Sequence, residues 1–174
     1  MQKSLAFTFT SADRPGLVET LSKTVKAANG NWLESRMSSL AGQFAGIVRV
    51  AVDIDSVEKL RTELAALNSS GFSIQVFDDL DENTATQSGN TVEKSVSLIG
   101  NDRPGLLSEF SRALSAHHIN VIEMDTQITS AAMSGDPLFE AIARIAVPEG
   151  TDETTLLQEL DAVAEQLDVD VQLS

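Results

Sequence analysis

The sequence contains one five-residue stretch twice, as Asp13-Arg14-Pro15-Gly16-Leu17 and again as Asp102-Arg103-Pro104-Gly105-Leu106. Each copy lies between a strand-like segment and an amphipathic, helix-like segment. At the same spacing the identities continue along the chain, at Ser22/Ser111, Ala27/Ala116, Asn31/Asn120 and Glu34/Glu123. One module has therefore been duplicated, and its most strictly repeated part is a polar loop, which directs attention to that loop as a candidate functional site.

Hydrophobic spacing predicts the order βαββαβ in each module. The first module has predicted strands at 5–9, 32–40, 44–52 and 72–76, predicted helices at 17–28 and 57–67, and a hairpin turn at Ala41-Gly42. The second has predicted strands from 96, at 119–128, 139–147 and 169–173, and predicted helices at 106–114 and 156–163. Its hairpin contains extra residues at 130–136, which we expect to form a mobile loop.

This element order predicts an α/β (α+β) sandwich of two ferredoxin-like modules, each an antiparallel four-stranded sheet with both helices on one face. The predicted modules span 1–80 and 91–174, and the polar stretch 81–90 has the composition of a linker. The uncovered sheet face needs its own side chains, and Trp32 and the repeated pair Arg49/Arg144 are candidates for it. Residue alternation does not decide between them.

The charge of the chain is −14, and it is concentrated in the second module. Residues 1–80 carry eight Lys/Arg and nine Asp/Glu, whereas residues 91–174 carry four and fifteen. Because nucleic-acid binding depends on basic side chains that neutralise phosphates, direct contact with DNA or RNA is not expected.

The composition also bears on location and chemistry. The chain has no Cys, no apolar run of the roughly 20 residues that a membrane helix needs, and no secretory signal at its start, so a soluble, cytoplasmic protein is expected. It has no phosphate-binding Gly-Lys-Ser/Thr motif, no dinucleotide-binding glycine triplet and no Gly-x-Ser-x-Gly. We therefore predict a protein that is not an enzyme and has no cofactor. The pair His117-His118 does not have metal-ligand spacing, so no metal site is predicted.

The repeated loop has chemistry that suits an α-amino acid. Gly16 and Gly105 lack a Cβ, which leaves room for a carboxylate at the amides that open the next helix. Asp13 and Asp102 can accept hydrogen bonds from an ammonium group. Asn31 and Asn120 begin the second strand of each module and offer both a donor and an acceptor.

Each role has a structural alternative that the sequence leaves open. The aspartates can instead cap the helix, and the asparagines can instead close the turn after it. Arg14 and Arg103 can instead point to solvent or pair with an acid. The Pro in each loop suits a helix start without any ligand.

The element order, the loop Asp-Arg-Pro-Gly-Leu, and the Asn-Trp-Leu or Asn-Val-Ile that enters the second strand together resemble the ACT domain, a small regulatory module that binds amino acids. The tandem arrangement, with Glu34 to Phe44 in one copy and Ala-His-His-Ile-Asn120 in the other, resembles the glycine cleavage system transcriptional repressor group.

This resemblance implies a binding site and a function. In ACT domains the ligand commonly lies where two modules meet, so Asp13 would face Asn120 and Asp102 would face Asn31. The predicted ligand-binding residues are Asp13, Arg14, Pro15, Gly16, Leu17, Asn31, Asp102, Arg103, Pro104, Gly105, Leu106 and Asn120. The resemblance further implies glycine or another small amino acid as effector, a transcriptional activator as protein partner, and regulation of transcription without DNA contact. The alternative is a ligand-free protein-protein interaction module that regulates a metabolic enzyme. Exposed sheet edges lead us to expect a homodimer.

Overall fold

The computed structural model of the protein describes residues 1–78 and 90–174. The chain divides into two compact units, Met1–Ala85 and Thr86–Ser174, and each contains one of the predicted modules. The predicted linker at 81–90 lies outside the described residues except for Asn90. The module boundaries at 80 and 91 therefore stay predictions.

The first unit has the predicted βαββαβ order. Its elements are β1 (Gln2–Ala12), α1 (Leu17–Ala27), β2 (Asn31–Leu40), β3 (Gln43–Asp53), α2 (Val57–Ala66) and β4 (Phe72–Asp78). Short 3-10 turns at Ile54–Ser56 and Leu67–Ser70 flank α2. Ala41 and Gly42 both have positive φ, as a tight two-residue hairpin requires, so the predicted turn is confirmed.

The second unit repeats this order. Its elements are β5 (Thr91–Asn101), α3 (Leu106–Ala116), β6 (Asn120–Ser130), β7 (Pro137–Pro148), α4 (Glu153–Leu167) and β8 (Val169–Leu173). β5 begins five residues before the predicted start at Val96, because the polar residues of Thr91–Lys94 hide its alternation. The longer hairpin is closed by the Ala131 amide, which donates to the Asp136 carbonyl at 2.8 Å.

Both sheets are antiparallel and have the same order, β2-β3-β1-β4 in the first unit and β6-β7-β5-β8 in the second. The first strand of each unit is central, since it pairs with two others; Phe7 of β1 lies opposite Val48 of β3 and Val76 of β4. This arrangement confirms the ferredoxin-like fold.

One face of each sheet is buried under its two helices. In the first unit Leu5, Phe7 and Phe9 of β1 are at most 1% exposed, and they pack with apolar residues of both helices. Leu21 of α1 and Leu64 of α2 belong to the same core. The second unit has an equivalent core. These buried residues alternate along the strands and recur every three to four residues along the helices, as the sequence predicts. The apolar face of the sheet therefore packs against the apolar faces of the two helices.

Trp32 and the repeated arginines lie on opposite faces of the sheet. Trp32 is opposite the buried Val50 and packs edge-to-face on Phe7, with ring centroids 6.3 Å apart, so of the two candidates for the uncovered face Trp32 does not lie there. Arg49 and Arg144 lie on the uncovered face, where they pair with glutamates that the repeat also matches. Arg49 Nε is 3.3 Å from Glu34 Oε1, and Arg144 Nε is 3.0 Å from Glu123 Oε2.

Across residues 1–78 and 90–174, no helix has both the length and the apolar character needed to cross a membrane.

Candidate functional site

The repeated loop is a tight turn that leads directly into a helix. Gly16 has φ +90° and ψ 0°, and Gly105 has φ +89° and ψ −7°. These angles belong to the third residue of a type II turn, where glycine is favoured and where the preceding residue is often proline. The recurrence of Pro-Gly in both modules is therefore explained by backbone geometry alone.

The turn glycines, and not the aspartates, occupy the helix N-cap positions. No side chain caps α1 or α3. Asp13 and Asp102 therefore do not cap these helices, which was the structural alternative left open for them. Their backbone amides instead hold the loop against the hairpin, since the Asp13 amide donates to the Gly42 carbonyl at 2.9 Å and the Asp102 amide to the Pro137 carbonyl at 3.0 Å.

The first amides of α1 have no backbone acceptor among the described residues. In the part of the chain that the structure describes, the Thr20 amide donates to the Gly16 carbonyl at 2.9 Å, whereas the preceding amides of Leu17, Val18 and Glu19 form no such bond. A Cβ built at Gly16 would meet no atom within 4 Å. Unpaired amides at a helix N-terminus attract anions, because they combine hydrogen-bond donors with the positive end of the helix dipole.

A depression of about 340 Å³ lies beside this loop. It is lined by Asp13, Arg14, Gly16, Leu17, Val18, Glu19 and Phe44. The Asp13 carboxylate lies at its margin and accepts a hydrogen bond from the Ser39 hydroxyl of β2. The site thus presents the Asp13 carboxylate, held in place by a hydroxyl, next to helix amides that have no backbone acceptor within the described chain.

Glu19 adds a second carboxylate to the lining, but Lys23 holds it. The Lys23 Nζ is 2.5 Å from Glu19 Oε1, one turn further along α1. The hydrogen bond and the charge of Lys23 lower the pKa of Glu19.

The loop arginines have structural contacts, and these differ between the modules. Arg14 donates from Nη2 to the Ser70 carbonyl at 2.8 Å, which ties the loop to the turn before β4. Arg103 pairs with Glu109 of its own helix, with Nη2 3.2 Å from Oε2. The pairing alternative therefore describes Arg103, whereas Arg14 bonds to main chain.

The remaining loop residues divide by exposure. Leu17 and Leu106 are 4% and 2% exposed and pack into the two cores, so their side chains are anchors of the loop. Pro15 and Pro104 are exposed in the turn.

Asn31 and Asn120 lie far from the loops of their own modules. Asn31 is the first residue of β2 and pairs with Ala51, whereas the loop adjoins the other end of that strand, roughly 30 Å away for ten residues of β-structure. The helix-ending turn is closed by Asn29 and His118, which have φ +55° and +56°, and not by Asn31 or Asn120. Both strand-entry asparagines are exposed.

The histidines also have structural positions. His117 Nε2 pairs with Glu159 of α4. Among residues 1–78 and 90–174, no group of three or more His, Cys, Asp or Glu side chains is arranged to hold a metal ion.

Sequence reasoning missed three residues that shape the loops, Ser39, Thr20 and Glu109. Ser39 lies on another strand, so no local pattern reveals its contact with Asp13. Thr20 and Glu109 occupy the same place in the two copies, and a comparison at the repeat spacing shows the difference between them.

Comparison with known proteins agrees with this architecture. Models of the ACT domain match residues 4–76 and 94–165. A search of curated proteins found no significant match.

Two solved structures are similar to the chain over its whole length. An unknown protein from Galdieria sulphuraria is 26% identical, with a TM-score of 0.86, covering 100% of this chain and 98% of its own. A protein named as a candidate glycine cleavage system transcriptional repressor is 20% identical, with a TM-score of 0.73, covering 100% and 97%. At that identity the second likeness shows the fold. The repeated loop, the duplicated sheet topology and the two domain matches together show that the chain belongs to the ACT domain family and carries two ACT domains in tandem.

Proposed function

We propose that this protein is a non-enzymatic sensor of a small amino acid, which binds at the Asp-Arg-Pro-Gly loop and changes how the protein engages a protein partner. The observation that carries the proposal is the combination of Asp13, Ser39 and the open amides of α1 beside one depression.

The chemistry of that combination matches both charges of a zwitterion. The ligand carboxylate would accept hydrogen bonds from the amides of Leu17, Val18 and Glu19. Its ammonium group would donate to Asp13, whose orientation is fixed by Ser39. Gly16 permits this approach, since a side chain there would stand between the ligand and the backbone.

In this proposal the asparagine that contacts a ligand belongs to a different module from the loop that binds it. Because Asn31 lies at the far end of its own sheet, no single module brings loop and asparagine to one small ligand. The facing of Asp13 by Asn120 and of Asp102 by Asn31 stays a prediction, as does a ligand role for the other loop residues.

The proposed output is transcriptional regulation through protein contact. The similar structure named as a candidate glycine cleavage repressor suggests glycine as effector and a transcriptional activator as partner. The net charge of −14 supports contact with a protein rather than with DNA.

A second candidate is a ligand-free interaction module that regulates a metabolic enzyme. The type II turn and the Arg14 bond to Ser70 favour it, because both explain part of the repeated loop without any ligand.

Thermal unfolding with each of the twenty amino acids separates the two candidates. An amino acid at 100 times its dissociation constant stabilises the folded state by about 2.7 kcal/mol, which raises the unfolding temperature. We expect glycine or another small amino acid to do so. If none of the twenty shifts the transition, the sensor is excluded and the ligand-free module stands.

Substitutions locate the site. Asp13→Asn and Ser39→Ala should both weaken the thermal shift. Asp13→Asn removes the negative charge that binds the ammonium group, and Ser39→Ala removes the hydroxyl that orients the Asp13 carboxylate. Asp55→Asn, an exposed aspartate away from the loop, is the matched control and should leave the shift unchanged. The double substitution Asn31→Ala with Asn120→Ala tests the strand-entry residues; an undiminished shift would remove them from the site.

A further inference from the structure

The two loops have the same sequence but different surroundings, and the difference lies one helical turn further along. Thr20 in α1 and Glu109 in α3 occupy equivalent places after Gly16 and Gly105. Thr20 donates its hydroxyl to the Gly16 carbonyl at 2.9 Å, so this short side chain stays on its own helix. The space beside Gly16 is left empty.

Glu109 instead extends back toward the loop of its module. Its Oε1 lies 3.8 Å from the position that a Cβ on Gly105 would have. Its two oxygens accept hydrogen bonds from Arg103, at 3.5 Å from Nη1 and 3.2 Å from Nη2. The second loop therefore carries its own carboxylate beside the turn glycine, together with the guanidinium that neutralises it.

The hydroxyl that orients the loop aspartate is also missing from the second module. Ser39 lies opposite Phe44 in the first hairpin, and Ile128 lies opposite Phe139 at the same place in the second. Asp13 accepts a hydrogen bond from Ser39, whereas Ile128 has no group that can donate to Asp102. A carboxylate without such a partner is free to rotate, so an ammonium that binds it must also pay for ordering it.

The loop arginines complete the contrast. Arg14 is drawn to the Ser70 carbonyl, away from Gly16, whereas Arg103 is held with Glu109 beside Gly105. A ligand carboxylate that approached Gly105 would first have to displace the Glu109 carboxylate, which Arg103 holds beside the glycine.

We propose that the second loop is closed by its own Arg103–Glu109 pair, so that the protein binds its amino-acid effector at the first loop only. The inference rests on the proposed function and adds which of the two loops works and which residue decides it. Glu109 is a specificity-determining residue that acts by occupying the place of the ligand carboxylate.

The test uses the full chain, labelled with ¹⁵N and titrated with an equimolar mixture of the twenty amino acids. Backbone amide resonances of Gly16, Leu17 and Val18 report on the first loop, and those of Gly105 and Leu107 report on the second. We expect saturable shifts in the first loop and none in the second, with a stoichiometry of one ligand per chain.

Reciprocal substitutions test the role of Glu109. Glu109→Thr gives the second loop the residue of the first, and we expect it to make the Gly105 amide respond and to raise the stoichiometry to two. Thr20→Glu should abolish the response of Gly16. Glu165→Thr, which makes the same replacement at an exposed position of α4, is the control and should change neither loop.

The outcomes distinguish this inference from the proposed function. Responses of both loops in the unsubstituted chain, or of the second alone, would overturn the closure of the second loop while leaving the sensor intact. A Gly105 amide that stays silent in a folded Glu109→Thr chain would remove Glu109 as the deciding residue. No response at any amide would overturn the sensor itself, and the inference with it.

Discussion

At the scale of single residues, identical side chains acquire different contacts in the two modules. Arg14 bonds to main chain at Ser70, and Arg103 forms an ion pair with Glu109. What the copies share is backbone geometry, because Gly16 and Gly105 have the same positive φ. Sequence identity within a repeat therefore predicts the path of the chain better than it predicts the partners of its polar side chains.

Asp152 shows how one carboxylate stabilises one helix. It is the N-cap of α4 and accepts hydrogen bonds from the Thr155 hydroxyl at 2.9 Å and the Thr154 amide at 3.1 Å. The hydrogen bond from the Thr155 side chain has the largest effect, and together these bonds lower the pKa of Asp152 below its ordinary value. A lowered pKa means that the ionised cap stabilises the folded state above the ordinary aspartate pKa, and that this contribution is lost as the pH falls through the lowered one.

We therefore expect Asp152→Ala to lower the thermal unfolding temperature near neutral pH, and the difference from the unsubstituted chain to shrink below about pH 4. Asp152→Asn is the control, because its amide oxygen keeps an acceptor that does not titrate. Thermal unfolding followed by circular dichroism across this range is the measurement. A difference that stays constant into acid would show that the charge of Asp152 is not what matters.

At the scale of helices and strands, hydrophobic spacing was a sufficient guide to type and order. The alternation of Leu5, Phe7 and Phe9 and the helical spacing of Leu17 and Leu21 each identify the face that becomes buried. Element ends were less certain where polar residues extend a strand, as at Thr91–Lys94. The face occupied by Trp32 was also not predictable, because a bulge between Trp32 and Glu34 shifts the register and places these two residues on opposite faces.

Leu64 of α2 gives a direct test of the first core. It is fully buried, so Leu64→Ala should lower the free energy of unfolding by about 2–5 kcal/mol through lost contacts and the cavity that remains. Trp32 packs against the same core and is the only Trp of the chain, so its fluorescence reports on unfolding of this unit in urea.

Leu40, which is 79% exposed at the end of β2, supplies the matched control. Leu40→Ala makes the same chemical change at the surface, where effects stay within about 0.5 kcal/mol. Equal losses for the two variants would contradict the assignment of Leu64 to the core.

At the scale of the whole molecule, duplication produced two compact units with one topology and unequal charge. The second carries most of the −14. This asymmetry affects which partners can bind. The second module has fifteen acidic and four basic residues, so its surface repels polyanions and favours basic partners. The expected homodimer stays a prediction, and native mass spectrometry would report both the subunit count and any retained metabolite.

The charge distribution predicts that the protein does not retard duplex DNA. At about 0.15 M salt, proteins that bind DNA without sequence preference have dissociation constants of about 10⁻⁴ to 10⁻⁶ M, and they bind through basic side chains. In this chain acidic residues outnumber basic ones, so we expect weaker binding than that. An electrophoretic mobility assay, with and without glycine, is the measurement. Retardation that weakens as salt is raised would show a phosphate-binding surface and would contradict regulation through protein contact alone.

The sequence by itself determined the duplication, the element order and, except at Trp32, the buried faces, because these follow from the regular spacing of apolar residues along each element. It also located the loops, since Pro-Gly directly before an amphipathic helix is typical of a type II turn. Only the tertiary structure decided what surrounds each loop. Ser39 reaches Asp13 from another strand, Glu109 turns back over Gly105, and Asn31 lies a whole strand length from the loop of its own module. The contact of Ser39 joins residues that are distant in the chain, and all three relations depend on strand register or side-chain direction, which local spacing does not specify.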